Sequence, residues 1–329
     1  MNTLRWPQLA AVLMIAAALL PATPAGAQSS NYPNRPIRFI VPLAPGGGAD
    51  LVGRIIAERL SKGLGQQVLV DNRGGGGTVI GADLAAKAPA DGYTWLLGTA
   101  TTHAINASLM KKLPYDPVRD FAPVALVAVL PQIIVIHPSL PAATLKEFIA
   151  LAKKRPGELF FGSPGNGSNN QLGAEMLNQV AGLKTVHVPY KGGGPAITDL
   201  LAGHLQFMFT TIPPALPHVK SGRLRALAVA GAKRSTLLPE LPTTAEQGAR
   251  GVEAASWNGV LVPAGTPRDI ISRLYGEISV VMKLPDVIER LASAGVEPLL
   301  MTPDEFAAFI NAETARYAKV VTLSGAHVD

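Results

Sequence analysis

The chain contains no cysteine. Disulfides are therefore excluded, and so is lipid attachment at an N-terminal cysteine; an ordinary hydrophobic core must hold the fold. Aromatic residues are scarce, at 5%, so that core has to come from Ala, Val, Leu and Ile. No two of the six histidines stand four residues apart and H-E-x-x-H is absent, which removes the helical metal-site pattern. The phosphate loop G-x-x-x-x-G-K-[ST] is missing, because Lys191 comes before its glycines. The nucleophile elbow G-x-S-x-G is missing as well, since Ser163 follows Phe161-Gly162 and lacks the first glycine. Nothing assembles a nucleophile, its base and an orienting acid, which counts against an exported hydrolase. No cofactor and no metal are expected. The formal net charge of +6 is scattered over helix faces, with no basic stripe interleaved with aromatics, so nucleic acid is not the expected partner.

What is present begins with "MNTLRWPQLAAVLMIAAALLPATPAGAQSS". Arg5 supplies a positive start, Leu9 to Leu20 an apolar stretch, and Ala25-Gly26-Ala27 a small-residue cleavage site. The pattern is that of a secretory signal peptide over residues 1–27, cut after Ala27, and it predicts an exported protein. The apolar stretch is short for a membrane span and two prolines follow it. About 300 residues remain, enough for two domains.

One unit then recurs: a strand, a loop rich in glycine, a helix. "RPIRFIVPL" leads through "APGGGAD" into "LVGRIIAERLSKGLG", with Asp50 at the expected N-cap and Gly63 and Gly65 near the expected stop. "QVLVDNR", "GGGGT" and "VIGADLAAKA" repeat it, as do "YTWLLGT", the loop "ATTH" and "AINASLMKKL". "ELFFGS", "PGNGSNN" and "QLGAEMLNQVAG" follow, then "KTVHVPY", "KGGG" and "PAITDLLAG", with Pro195 at the expected first helical position. Such alternation predicts α/β architecture with parallel sheets covered by helices, and a ligand crevice at the carboxyl ends of the strands. Every glycine-rich loop falls at that end.

"PVALVAVLPQIIVIHPS" carries Pro131 inside a long apolar run, which suits two strands with a break better than one helix. This run and "ASWNGVLVPAGTP" are read as two crossings between domains. Domain 1 would be discontinuous, 31–129 plus 253–329, around an inserted domain 2, 130–252. Three periodic helices, from "PRDIISRL", "PDVIERL" and "TPDEFAAFI", close the chain as packing elements.

Bare loop backbones expose N–H groups, and each helix start adds the positive end of its dipole, a combination that suits an anion. Thr99, Thr101, Thr102, Ser163, Ser168, Asn166 and Asn169 add neutral donors in the same loops. His103 reads as a hydrogen-bonding or capping residue. Trp257 suits a ligand wall or an interdomain core equally.

"YPNRPIRFIVPLAPGGGADLVGRIIAERL", "GTATTHAINASLMKKLPYDPVRDFAPV", "GSPGNGSNNQLGAEML", "VPYKGGGPAITDLLAGH" and "PAGTPRDIISRL" resemble the Bug family, periplasmic substrate-binding components of tripartite tricarboxylate transporters. The likeness runs through the whole chain after the leader. It implies a two-domain, type II-like periplasmic-binding-protein fold with parallel or mixed sheets, closing on a small carboxylate. The ligand would be a mono- or dicarboxylate, an amino-acid-like acid or an aromatic acid. The protein would be a monomer that delivers it to a large and a small integral-membrane subunit. A role beside a sensor kinase is the alternative. Carried over, the binding residues are Leu43, Ala44, Pro45, Gly46, Gly47 and Asp50 in the first loop, with Thr78. Thr99, Thr101, Thr102, His103 and Asn106 follow. The second domain would add Ser163, Gly165, Asn166, Gly167, Ser168 and Asn169, with Tyr190, Lys191 and Gly192. Two positions depart from the family pattern: Leu43 replaces a frequent Phe, and Gln171 a frequent His.

Overall fold

The computed structural model describes residues 32–231 and 233–324; the leader and its cleavage site lie outside the described residues. From Pro33 onward the chain is one unit. Strand β1 (Ile37–Val41) is buried nearly throughout and leads through Pro42–Gly47 into α1 (Gly48–Leu64). Val52, Ile55, Ile56, Leu60 and Leu64 of α1 are buried, as spacings of three and four require for one face. Gly65 ends the helix in the left-handed conformation. The unit recurs as β2 (Val68–Asn72) and α2 (Val79–Ala86), then as β3 (Thr94–Thr99). Here the loop expected at "ATTH" is instead a π-helical turn, Thr101–Ile105, that runs into the short α3 (Asn106–Leu109). Thr102 explains it, because its hydroxyl donates to Thr99 O (2.9 Å) and accepts from Thr99 N–H (2.7 Å).

Strand β4 (Phe121–Ile136) is one strand of 16 residues, not two. Pro131 is tolerated because it stands where the strand changes partners. Phe121 to Pro131 pair with β9 (Ala255–Pro263), and Gln132 to Ile136 pair with β7 (Phe207–Thr211). A residue without an N–H costs little at such a break in the ladder. After α4 (Leu145–Lys154) come β5 (Phe160–Ser163), α5 (Asn169–Ala181), β6 (Val186–Pro189) and α6 (Gly193–Leu201). Then β7 feeds α7 (Ile212–Lys220), and β8 (Arg225–Val229) precedes β9. Pro195 is the third residue of α6, since the helix already starts at Gly193. The three closing helices are α8 (Arg268–Val281), α9 (Pro285–Ser293) and α10 (Pro303–Ser324), with a strand that the sequence reading missed, β10 (Glu297–Met301), before the last.

The sheet runs β2-β1-β3-β9-β4-β7-β5-β6, with β10 and β8 also on β4. It is mixed. Pairs β1–β2, β1–β3, β5–β6 and β5–β7 are parallel, whereas every pair made by β4 or β9 is antiparallel. The carboxyl ends of the parallel strands therefore belong to two sheet halves joined through β4. Packing follows the period of two along β4. Ile134 and Ile136 enter the core built around Phe148, Phe161, Phe207 and Phe209. Ile133 and Val135 enter the one around Met208, Ile212 and Leu216. The first half is covered by α10, whose Phe306, Ile310 and Tyr317 pack with Trp257 and Leu261. Trp257 is thus a core residue, 2% exposed, edge-on to Phe306 and Phe309.

Candidate functional site

Six strand ends converge on one cavity. It is lined by Leu43 and Gly47 after β1, Gly77 and Thr78 after β2, and Thr99 and Thr101 at the end of β3. Pro164, Ser168 and Asn169 come from the loop after β5, Gly193 from the start of α6, and Thr210, Thr211 and Pro214 from the β7–α7 junction. Leu130 of β4 and Ser256 and Asn258 of β9 complete the wall, with Gly48, Ala49 and Asn170 from the first turns of α1 and α5. The cavity measures about 60 Å³. Among the described residues lining it, none is charged and none is aromatic.

The charge of the site is carried by backbone. Helices α1, α2, α5, α6 and α7 all begin at this cavity. First-turn N–H groups have no intrahelical acceptor, and each helix start carries a partial positive charge. The proline pair in α7 gives that start fewer amides to offer than the other four.

Several side chains hold this arrangement from behind. Asp50 is in the first turn of α1 and not at its N-cap, which is Gly47. Its carboxylate accepts from Gly46 N–H (3.0 Å), Arg54 Nε (3.0 Å) and Asn72 Nδ2 (3.0 Å). Burial pushes its pKa up, but the hydrogen bonds from Arg54, Gly46 and Asn72 outweigh that and hold it below the usual carboxylate range. Asn72 also donates to Leu43 O (3.0 Å), so one cluster fixes the loop that carries Leu43 and Gly47. Thr78 has φ +77°, the one positive φ outside glycine among the described residues. For a β-branched residue that is strained by about 1–3 kcal/mol. Asn106 holds it there by donating to Gly77 O (3.0 Å) and Thr78 Oγ1 (3.4 Å). Asn169 is oriented by Tyr317, whose hydroxyl donates to Asn169 Oδ1 (2.9 Å) while Asn169 Nδ2 donates to Ala255 O (2.6 Å).

Of the residues predicted to bind, Leu43, Gly47, Thr78, Thr99, Thr101, Ser168 and Asn169 line the cavity. The others stand elsewhere. Thr102, Asn106 and Asp50 are supports. His103 is fully buried within the π-turn, with Nδ1 2.7 Å from Thr102 Oγ1 and its ring edge-on to Phe121; burial lowers its pKa to about 3. Ser163 is fully buried, donates to Gly165 O (2.9 Å) and lies 2.6 Å from His187 Nε2. That pair shapes the loop and does not face the cavity. Gln171, the departure from the family pattern, accepts from Gly167 N–H (2.7 Å) and so also shapes this loop.

Ala44, Pro45, Gly46, Gly165, Asn166, Tyr190, Lys191 and Gly192 form a seam between the two halves. A methyl group on Gly74 would meet Lys191 O at 2.9 Å, one on Gly77 Asn166 O at 2.5 Å, one on Gly192 Ala44 Cβ at 2.6 Å, and one on Gly194 Pro45 O at 2.9 Å. Each pair joins a loop of one half to a loop or helix start of the other. Tyr190 is tied beside the seam by its hydroxyl, which donates to Asp199 Oδ2 (2.5 Å). The sequence reading missed Thr210, Thr211, Ser256 and Asn258. No glycine-rich motif marks them, although a threonine pair ending a strand before a helix that opens Ile-Pro-Pro was a usable signal.

Residues 52–325 match the family described as Tripartite tricarboxylate transporter family receptor. The chain belongs to this family. It is 41% identical over 299 residues to the protein BugT of Bordetella pertussis, covering 91% of this chain and 92% of BugT. An R. palustris protein solved with adipate has a TM-score of 0.88 and 37% identity, over 90% of this chain and 100% of that one. MatC of Rhodopseudomonas palustris with bound malate has a TM-score of 0.84 and 31% identity, over 88% and 100%. The fold is that of the periplasmic binding proteins, and this family member is a periplasmic solute-binding receptor. Among the described residues, no helix is long and apolar enough to cross a membrane, and no group of three or more His, Cys, Asp or Glu could hold a metal.

Proposed function

We propose that this receptor captures a small carboxylate in the cavity between its two sheet halves. The supporting observation is the convergence of five helix starts on a cavity with no charged lining. At about 0.3–1 kcal/mol each, these starts contribute on the order of 2–5 kcal/mol toward holding an anion, without a fixed ion pair that would slow release. The relatives solved with adipate and malate carry carboxylate ligands, which accords with this reading. The halves act as two domains, 31–129 plus 253–329 and 130–252, and the seam of glycines is where they meet when closed. Contacts made to the ligand by both halves at once supply the closing free energy.

The protein works as a monomer, exported by its leader peptide, and its closed form presents the ligand to a permease of one large and one small integral subunit. Binding involves no cofactor and no covalent step. Isothermal calorimetry against plain, hydroxy, keto and aromatic carboxylates tests the central claim. Saturable binding of at least one acid, lost when Gly47 is replaced by Val, is expected; heat-silent titrations across the panel would overturn it.

A further inference from the structure

Asn258 lines the cavity, is 1% exposed, and has one polar atom without a partner. Its Nδ2 donates to Trp257 O at 3.0 Å, which fixes the carboxamide and leaves Oδ1 as the orphan. Strand alternation decides where that oxygen belongs. Ser256 and Asn258 of β9 both line the cavity, whereas Trp257 between them faces the opposite core against Phe306 and Phe309. A buried acceptor left unpaired is costly, and in a native structure it calls for a partner. A ligand that supplies an O–H here removes the cost; one that presents a carbon-bound hydrogen there does not.

The lining also selects by charge. An ammonium could donate to Asn258, but among the described lining residues there is no carboxylate to neutralise it. The nearby acid Asp50 already accepts from Gly46, Arg54 and Asn72. The helix starts around the cavity repel a cation as they attract an anion. Without an aromatic side chain in the wall there is no stacking partner for a ring, and the space is small.

We infer that the ligand is a short aliphatic hydroxycarboxylate and that Asn258 is the residue that selects its hydroxyl. This rests on the carboxylate reading of the cavity. It goes further by naming the second functional group and the atom that receives it.

The test uses the full mature protein and ligand triplets that differ at one position only: malate, succinate and aspartate; lactate, propionate and alanine. Calorimetry is run on the wild type and on Asn258→Leu, with Asn258→Ser, which restores an acceptor, as a second variant. In the wild type the hydroxy acid of at least one triplet is expected to bind about tenfold or more tighter than its deoxy and amino partners. Asn258→Leu should bring the hydroxy and deoxy affinities to within about twofold, and Asn258→Ser should recover part of the preference. Equal binding of hydroxy and deoxy acids by the wild type, or preference for the amino acid, overturns the inference and leaves the carboxylate reading standing. A wild type that binds only carboxylates outside both triplets and without a hydroxyl also overturns it. Failure of every carboxylate to bind overturns both. Because the wild-type comparison stands alone, an unstable variant does not remove the test.

Discussion

Gly77 offers the sharpest test of the seam. Its φ is +61° and a methyl group placed on it would lie 2.5 Å from Asn166 O across the seam. Gly65 has nearly the same backbone, φ +66°, but a methyl group there meets nothing within 4 Å. Gly65→Ala therefore measures the left-handed backbone penalty alone, about 1–2 kcal/mol for a residue with a Cβ. Gly77→Ala carries the same penalty and adds an overlap. A carbon and a carbonyl oxygen need roughly 3.2 Å or more, so the Asn166 loop must withdraw by about 0.7 Å or the halves must part. Overpacking of this kind costs about 1–3 kcal/mol. The extra cost falls only on the arrangement in which the halves touch, so it is expressed as lost affinity, about 5- to 150-fold. Thermal unfolding of the free protein and calorimetry with the tightest acid of the panel read the two effects separately. Gly65→Ala should lower stability and keep affinity within about twofold. Gly77→Ala should lose affinity by the larger factor. Equal affinities for the two variants would refute the claim that the halves meet at this glycine when ligand is bound.

Gly47→Val should abolish or strongly weaken binding while costing about 1 kcal/mol of stability. The position has ordinary extended backbone and borders the cavity, and a methyl group on it would meet nothing within 4 Å; unchanged affinity would mean that the ligand sits elsewhere. Acid should destabilise the fold through two histidines, His103 at about 3 and His187 at about 4, both lowered from 6.5 by burial. Their unfolded forms bind protons before the folded ones do, so their stability contribution is fully present above pH 6.5 and is lost as pH falls toward those values. Between pH 7.5 and 5.5 the fully buried His103 contributes a loss of about 1.4 kcal/mol, and His187, which is half-buried and screened by solvent, contributes less. Denaturant unfolding at the two values should show a drop of about 2 kcal/mol, most of it lost in His103→Gln; a flat profile would contradict the burial of His103.

Much of the fold was legible because its signals are local. Val52, Ile56 and Leu60 stand four apart, and Gly65 follows them, so α1 and its stop could be read directly. The strand–glycine loop–helix repeat was readable for the same reason, as was the rule that loops at strand ends form the crevice. Positions that depend on a partner far along the chain were misread. Pro131 looked like a break because nothing nearby tells that β4 exchanges β9 for β7 at that residue. Asp50 looked like a cap because it is the polar residue just before the apolar period of α1, yet the helix already starts at Gly48. His103 and Ser163 looked like ligand contacts because they stand in or beside polar loops, yet Phe121 covers one and Phe161 stacks on the partner of the other.

The sequence by itself determined the repeated unit, the family and the neutral, amide-rich chemistry of the loops, since each is written within a few turns of chain. Only the tertiary structure decided which of those loops line the cavity, which meet across the seam, and which support it from behind. It alone brought Thr210, Thr211, Ser256 and Asn258 into the wall, because β4 carries the chain from one sheet half to the other and sets strand ends from distant segments around one cavity.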